Sequence, residues 1–374
     1  MRNLGTVRND NPRRRPALTR LGTGALGVAT LGLVVSACGS STKTSASTGS
    51  AASALAASIS ALGSQSSVEA RFSIDVTASQ AADLAANGNK RSSSSAAAMA
   101  KALSTGSVFF AEQTGKGEPI DSKTAASDPG NSYDLGISFG SSTPLEVRYV
   151  GQALYLRLQM SALAADLGEP ASAAGSVNSE LVKLNADVPG LATLASGGWV
   201  EVSKSALSPL IADLKSFGSS SSSASPAKIT SSLLNLRTSV LAAIKANSTV
   251  TSLGSSGGRQ EYQVQVKARA LLSSIDTALN SASGVVPSVG NKLGGLSKSL
   301  ASVPANLVVT IDAYTSGGKL TQADVDLDQF FTTNKPSFPV PLQMNITSAS
   351  IAAPSGATEL NLSKLPSLVG GLLG

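Results

Sequence analysis

The chain has 374 residues, 42% of them hydrophobic but only 4% aromatic, with 29 Lys and Arg against 23 Asp and Glu, one cysteine and no histidine. That inventory excludes Ser-His-Asp and Cys-His catalysis and imidazole or multi-thiolate zinc sites, and a lone cysteine excludes an internal disulfide. Six of the arginines and one Asp fall within residues 1–37, so the formal charge of +6 drops to +1 beyond them, and the pI near 9.4 is no sign of a nucleic-acid surface.

Those first residues divide as an export signal does. Arginines stand at 2, 8, 13, 14, 15 and 20, and an apolar run follows from Leu21 to Val35. About fifteen residues of helix fall short of a bilayer core of about 30 Å. The run closes on Leu33-Val34-Val35-Ser36-Ala37-Cys38-Gly39, the spacing that a lipoprotein signal peptidase reads. An ordinary cleavable signal with a chance cysteine is the alternative. The pattern predicts a signal peptide over 1–37 and Cys38 as the first mature residue, its sulfur carrying a diacylglyceryl group. Each buried methylene contributes about 0.8 kcal/mol, so two or more chains hold durably. The expected location is the outer face of the plasma membrane, lipid-anchored and extracytoplasmic. Arg13-Arg14-Arg15 admits the twin-arginine route, but Pro16-Ala17 follows where that signal prefers a bulky apolar residue, so general export is expected.

Beyond Cys38 the chain to residue 50 is Ser, Thr, Gly and Ala with a lone Lys43, which predicts a flexible tether. Residues 51–374 are then read as one domain. Leu55, Ile59 and Leu62 recur at helical spacing before Gly63, predicting a short helix. From Val68 to Thr77 apolar and polar residues alternate without a break, the mark of an antiparallel strand with one solvated face. The pattern returns at Val108–Ala111, at Leu135–Phe139, and in a hairpin of Leu145–Val150 and Ala153–Leu158 about Gly151-Gln152. Further strands are expected at Tyr262–Ala268, at Leu307–Tyr314 and Leu320–Leu327 joined through Gly317-Gly318, and from Leu342 to Ile346. Roughly nine or ten strands joined mostly by short turns predict an α+β fold built on a single antiparallel sheet. Residues 78–105 and 113–131 are rich in Ser, Ala and Gly and are expected to be loosely structured.

Three blocks interrupt the strands, at about 161–195, 205–247 and 278–303, with a further helix expected at Ala270–Leu279. In the second block Leu207, Leu210, Ile211 and Leu214 form one stripe, and Leu233, Leu236, Val240 and Ile244 continue at helical spacing. Such stripes are first of all plain core. The sharper reading makes these eight residues the lining of an apolar cavity.

Several motifs carry no chemistry. Gly22-Thr23-Gly24-Ala25-Leu26-Gly27 matches a dinucleotide fingerprint in letters, yet it lies inside the signal with no strand before it. Gly254-Ser255-Ser256-Gly257-Gly258 spells a nucleophile elbow but lacks the histidine base, and reads as a hairpin turn. Asp324, Asp326 and Asp328 alternate on one strand face with no glycine loop to wrap a calcium ion. Trp199 reads as a core anchor. No metal and no cofactor are expected, and no paired acidic motif points to a hydrolase.

The order of elements resembles the LppX/LprG-type lipoproteins of actinobacteria. Tyr155-Leu156-Arg157, Gly198-Trp199-Val200-Glu201-Val202, the run Gly258-Arg259-Gln260-Glu261-Tyr262-Gln263-Val264, Val303-Pro304-Ala305, Asp312-Ala313-Tyr314 and Lys319-Leu320 carry the likeness, which covers Ala51 to about Ala353. It implies a LolA-like fold, a strongly curved antiparallel half-barrel with helices covering its concave face. It also implies a non-enzymatic protein that binds or shuttles acylated lipids, phospholipid or glycolipid, in an apolar cavity. The chain is longer than that pattern in the three blocks named above. An envelope protein-binding or sensing module on the same fold, with its core packed solid, is the alternative. The expected partners are thus the membrane through Cys38 and a lipid ligand, and no nucleic acid.

Overall fold

The computed structural model describes residues 51–87, 93–122, 128–206, 239, 242–243, 246–283, 303–330 and 335–361. Cys38, the tether, and all eight candidate lining residues (Leu207, Leu210, Ile211, Leu214, Leu233, Leu236, Val240 and Ile244) lie outside the described residues.

The strands are β1 (Ser67–Ile74), β2 (Gly106–Gln113), β3 (Ser132–Phe139), β4 (Ser142–Val150), β5 (Ala153–Leu158), β6 (Trp199–Val202), β7 (Ser248–Ser256), β8 (Arg259–Lys267), β9 (Val308–Ser316), β10 (Lys319–Asp326), β11 (Pro341–Thr347) and β12 (Thr358–Glu359). They form one open, curled sheet in the order β12-β6-β5-β4-β3-β2-β1-β11-β10-β9-β8-β7. Every pairing is antiparallel except β12 with β6. Twelve strands exceed the nine or ten expected. The sequence of β7, STVTSLGSS, has almost no apolar alternation, and two-residue β12 is too short to signal itself.

Seven α-helices accompany the sheet among the described residues: α1 (Ala51–Gly63), α2 (Ala78–Asn87), α3 (Ser93–Thr105), α4 (Met160–Leu167), α5 (Ala171–Leu184), α6 (Leu191–Ala195) and α7 (Ala268–Ser283). One turn of 3-10 helix, Leu327–Phe330, follows β10. None of these helices is long and apolar enough to cross a membrane.

Helices α2 and α3 correct the expectation of loose structure over 78–105. Alanine has the highest helix propensity, and here Ala81 and Ala85 are buried, so an Ala-rich stretch packs as helix. The signal was present in Thr77-Ala78-Ser79-Gln80. The Thr77 amide donates to Gln80 Oε1 at 2.8 Å and the Gln80 amide to Thr77 Oγ1 at 3.3 Å, a reciprocal capping box. Residues 113–122 are fixed as well, by Thr114 Oγ1 donating to the Glu118 carbonyl at 2.7 Å and the Ile120 amide to the Gln65 carbonyl at 2.8 Å.

Register assigns side chains to two faces. Val68, Ala70 and Phe72 of β1 share one face with Leu342, Met344 and Ile346 of β11, Ala323 and Val325 of β10, Ala313 of β9 and Tyr262, Val264 and Val266 of β8. Leu55 and Leu62 of α1 pack on this apolar surface, with Leu271 of α7, and together they make the largest core cluster. The opposite face carries Gln343, Asn345, Asp324, Asp312 and Gln263 and is polar.

After β11 the chain crosses the polar face. The Ile351 amide donates to Gln113 Oε1 of β2 at 2.7 Å and Arg148 Nη1 of β4 donates to the Ala352 carbonyl at 3.1 Å. The strap then pairs beside β6 and inserts Leu360 among Val188, Val200 and Val202, a second core cluster that includes Leu191 and Leu194 around α6.

Candidate functional site

Between the two core clusters lie β2, β3 and β4, and there burial inverts. On their apolar face stand Val108 and Phe110, Leu135 and Ile137, and Leu145 and Val147, paired across the strands. None of the six belongs to a core cluster, and Val108 and Leu135 are 43% and 48% exposed. Three strands at about 4.8 Å and eight residues at about 3.3 Å give an apolar trough on the order of 14 Å wide and 25 Å long.

Helices bound this trough at the end marked by the β3–β4 turn. α3 runs directly into β2, and the Gly140 amide of that turn donates to the Thr105 carbonyl at 2.9 Å. α4 leaves β5 at the same end, with the Gln159 amide donating to the Pro144 carbonyl at 2.7 Å. Lys101 Nζ of α3 reaches Asp166 Oδ1 of α4 at 2.7 Å and joins the two helices across that end. The Asp166 carboxylate is buried, while the Lys101 side chain is half exposed.

The opposite end, marked by the β4–β5 turn, is aromatic and polar. Phe110, Tyr133 and Tyr149 form a ladder, with ring centroids 6.4 and 6.3 Å apart. Burial raises the Tyr133 hydroxyl above its usual value; Asn131, donating to Tyr133 Oη at 3.5 Å, lowers it, and the Glu112 carboxylate and Tyr149 raise it further. The tight turn itself needs positive φ at Gly151 and Gln152, 59° and 69°, the twist that a two-residue hairpin demands.

The polar face of the same strands is the closed one. Phe109 lies across Gly136, where a β-carbon would meet the ring at 2.5 Å, and the Arg71 guanidinium stacks 4.7 Å above Phe109. Asp134 and Glu146 are buried beside Arg148 and Arg157. Arg148 Nε lies 3.0 Å from Asp134 Oδ2, and Arg157 Nη2 lies 2.5 Å from Glu146 Oε2. Burial is the main reason that the Asp134 carboxyl is pushed up to about 6, against the lowering pull of Arg148 and with a further push from Glu146.

Trp199 belongs to this cluster. The guanidinium carbons of Arg148 and Arg157 lie 5.0 and 4.8 Å from its ring centroid, so it is a cation–π platform on the polar face and not the apolar core anchor expected. The register brings it there: Trp199 pairs with Arg157, which pairs with Glu146.

No family model matches the chain, and no curated protein matches it in sequence.

The aspartate run divides. Asp324 stands on the polar face, accepts from Gln322 Nε2 at 2.9 and 2.8 Å, and has its carboxyl raised chiefly by burial. Asp326 Oδ1 accepts the amides of Asp328 and Val340. Asp328 lies past the strand end, in the 3-10 turn, and reaches Lys335 at 3.0 Å, which corrects the placing of all three on one strand face. Among the described residues no group of His, Cys, Asp and Glu is placed to hold a metal ion. Gly257 and Gly258 form the β7–β8 turn with φ of 59° and 78°, as the hairpin reading expects.

The trough residues were in the predicted strands but not among the candidate lining residues. Alternation marks an apolar face without saying whether anything lies on it.

Proposed function

We propose that the protein is an extracytoplasmic lipoprotein, anchored through diacylglyceryl-Cys38, that binds or shuttles acylated lipids without catalysis. The fold reading that goes with it is a half-barrel of the LppX/LprG type, its apolar side covered by helices. The observation that carries the proposal is the apolar face of β2–β4, which lies between two packed clusters on the same sheet, joins neither among the described residues and leaves Val108 and Leu135 exposed. A soluble chain leaves contiguous apolar surface open where something else is to cover it. Burying about ten methylenes of an acyl chain there contributes about 8 kcal/mol before ordering costs, enough to retain a lipid and still release it.

Native mass spectrometry of the full chain taken from membranes tests the reading. Because the anchor is covalent, a bound lipid shows as an added mass that collisional activation removes. Leu135→Asp, which places a charge in mid-trough, is expected to abolish that added mass while leaving secondary structure intact. A wild-type chain that carries no removable lipid, and that is instead recovered crosslinked to one stoichiometric protein, overturns lipid binding in favour of a protein-binding module.

A further inference from the structure

Exposed apolar and basic side chains meet at one end of the sheet, on β8–β10. The register puts the last residue of β8, Lys267, opposite the first of β9, Val308. β10 ends at Asp326 on the same side, and the 3-10 turn Leu327–Phe330 follows it. Gln329 folds that turn back onto β9: its Oε1 accepts the Thr310 amide at 2.9 Å, and its Nε2 donates to the Asp326 carbonyl at 2.7 Å. Phe330, 39% exposed, is thereby held at the strand end that carries Val308, 43% exposed. Helix α7 starts there too, the Ala268 amide donating to the Leu307 carbonyl at 3.0 Å, with Lys267 and Arg269 exposed on either side of buried Ala268. The carboxylates at the turn are engaged: Asp326 Oδ1 accepts the amides of Asp328 and Val340, and Asp328 pairs with Lys335.

A basic pair beside an exposed ring and an aliphatic side chain is the composition with which a protein surface lies in the headgroup layer of an anionic bilayer. The apolar groups enter the acyl boundary and the cations meet the lipid phosphates. Single exposed apolar side chains are ordinary on a soluble surface, and two of them hold only weakly. The chain that precedes Ala51 changes the balance. Residues 38–50, rich in Ser, Thr and Gly, span roughly 20 Å on average for that composition, less than the roughly 26 Å of an eight-residue strand such as β1. A tether that short keeps the membrane at a millimolar effective concentration around the domain, so a weak patch suffices to dock it.

Building on the anchored-lipoprotein reading above, we propose that this rim is a membrane-docking face: Phe330 and Val308 enter the anionic leaflet to which Cys38 is tied, with Lys267 and Arg269 against its phosphates. The domain then stands with the Val308 end of the sheet on the bilayer and the β7–β8 turn at Gly257-Gly258 away from it. Pairing through β11 and β1 puts the α3–α4 end of the trough on the bilayer side as well.

The test uses the full acylated chain in vesicles of phosphatidylcholine mixed with phosphatidylglycerol, and in phosphatidylcholine alone. With Cys38 acylated, Val308→Cys, Phe330→Cys and Ser255→Cys, made one at a time, each supply a single free thiol for an environment-sensitive fluorophore. In the anionic vesicles the labels at 308 and 330 are expected to shift to the blue and to lose access to aqueous acrylamide at least about three-fold, while the label at 255 does neither. Lys267→Gln and Arg269→Gln are each expected to lower the docked-to-undocked ratio about five-fold. Labels at 308 and 330 that stay as accessible as the one at 255, protection at 255 instead, or protection that is equal in phosphatidylcholine alone and in both glutamine variants overturns the docking face. Flotation of the chain with the vesicles in those cases leaves the anchor in place. A chain that does not float and carries no diacylglyceryl mass on Cys38 overturns both.

Discussion

The two stretches of one sheet, β1 with β7–β11 and β2–β4, use the same alternating strand chemistry to opposite ends. In the first, the apolar face is packed under α1 and the polar face is a lawn of amides and carboxylates. In the second, the apolar face joins no core cluster among the described residues and leaves Val108 and Leu135 exposed, while the polar face is buried under stacked arginines and the strap from β11 to β12. Alternation therefore specifies two faces and not which one is inside. Burial of charge on the second stretch is sustained because Asp134, Glu146, Arg148 and Arg157 neutralise one another, which isolated charges at those depths would not allow.

Substitutions at matched depths on the two stretches separate these roles. The largest effect is expected in the closed stretch: Met344 is 0% exposed, and Met344→Ala is expected to cost about 2–5 kcal/mol in denaturant unfolding, without changing which lipids bind. Next comes Gly136→Val on the buried polar face of β3. Its added carbons enter the Phe109 ring, so the ring and the Arg71 stacked on it must move, at an expected cost of about 1–3 kcal/mol. A loss of less than a few tenths of a kcal/mol there would mean that the polar face is not the packed one.

A smaller effect is expected from acid. The folded Asp134 carboxyl titrates near 6, above the unfolded value of 3.8, so the folded state holds that proton more tightly. The stabilisation linked to it is complete below about pH 4 and is lost as pH rises through about 6. Asp134→Asn has no such proton to lose. Its stability relative to the wild type is expected to climb between pH 4 and 7 and then level, as measured by thermal unfolding across that range. A flat difference would place the carboxylate in water and not under the strap. The smallest stability effect belongs to the open stretch: Leu135→Ala, at 48% exposure, is expected to change unfolding by less than about 0.5 kcal/mol while weakening lipid retention measurably. A large stability loss there would show the trough to be closed core.

Much of the framework was legible in the residues. The strands at Val68, Val108, Leu135, Tyr262 and Leu342, the hairpin about Gly151-Gln152 and the helix through Leu55 and Leu62 all lie where periodicity puts them. What misled was composition. An Ala/Ser-rich stretch read as loose became α2 and α3, because small side chains at Ala81 and Ala85 permit close packing that hydropathy does not advertise. Trp199 misled in the same way, since a ring's size says nothing about which face of a strand it occupies.

The sequence by itself determined the period of each element and the polarity of each strand face, because both follow from local geometry and from which side chains water rejects. Only the tertiary structure decided that one apolar face is packed into the main core while its neighbour on β2–β4 joins no core cluster among the described residues, and that a chain segment more than two hundred residues downstream closes over Arg148. Those outcomes depend on which surfaces meet after the strands pair, and no local pattern encodes them.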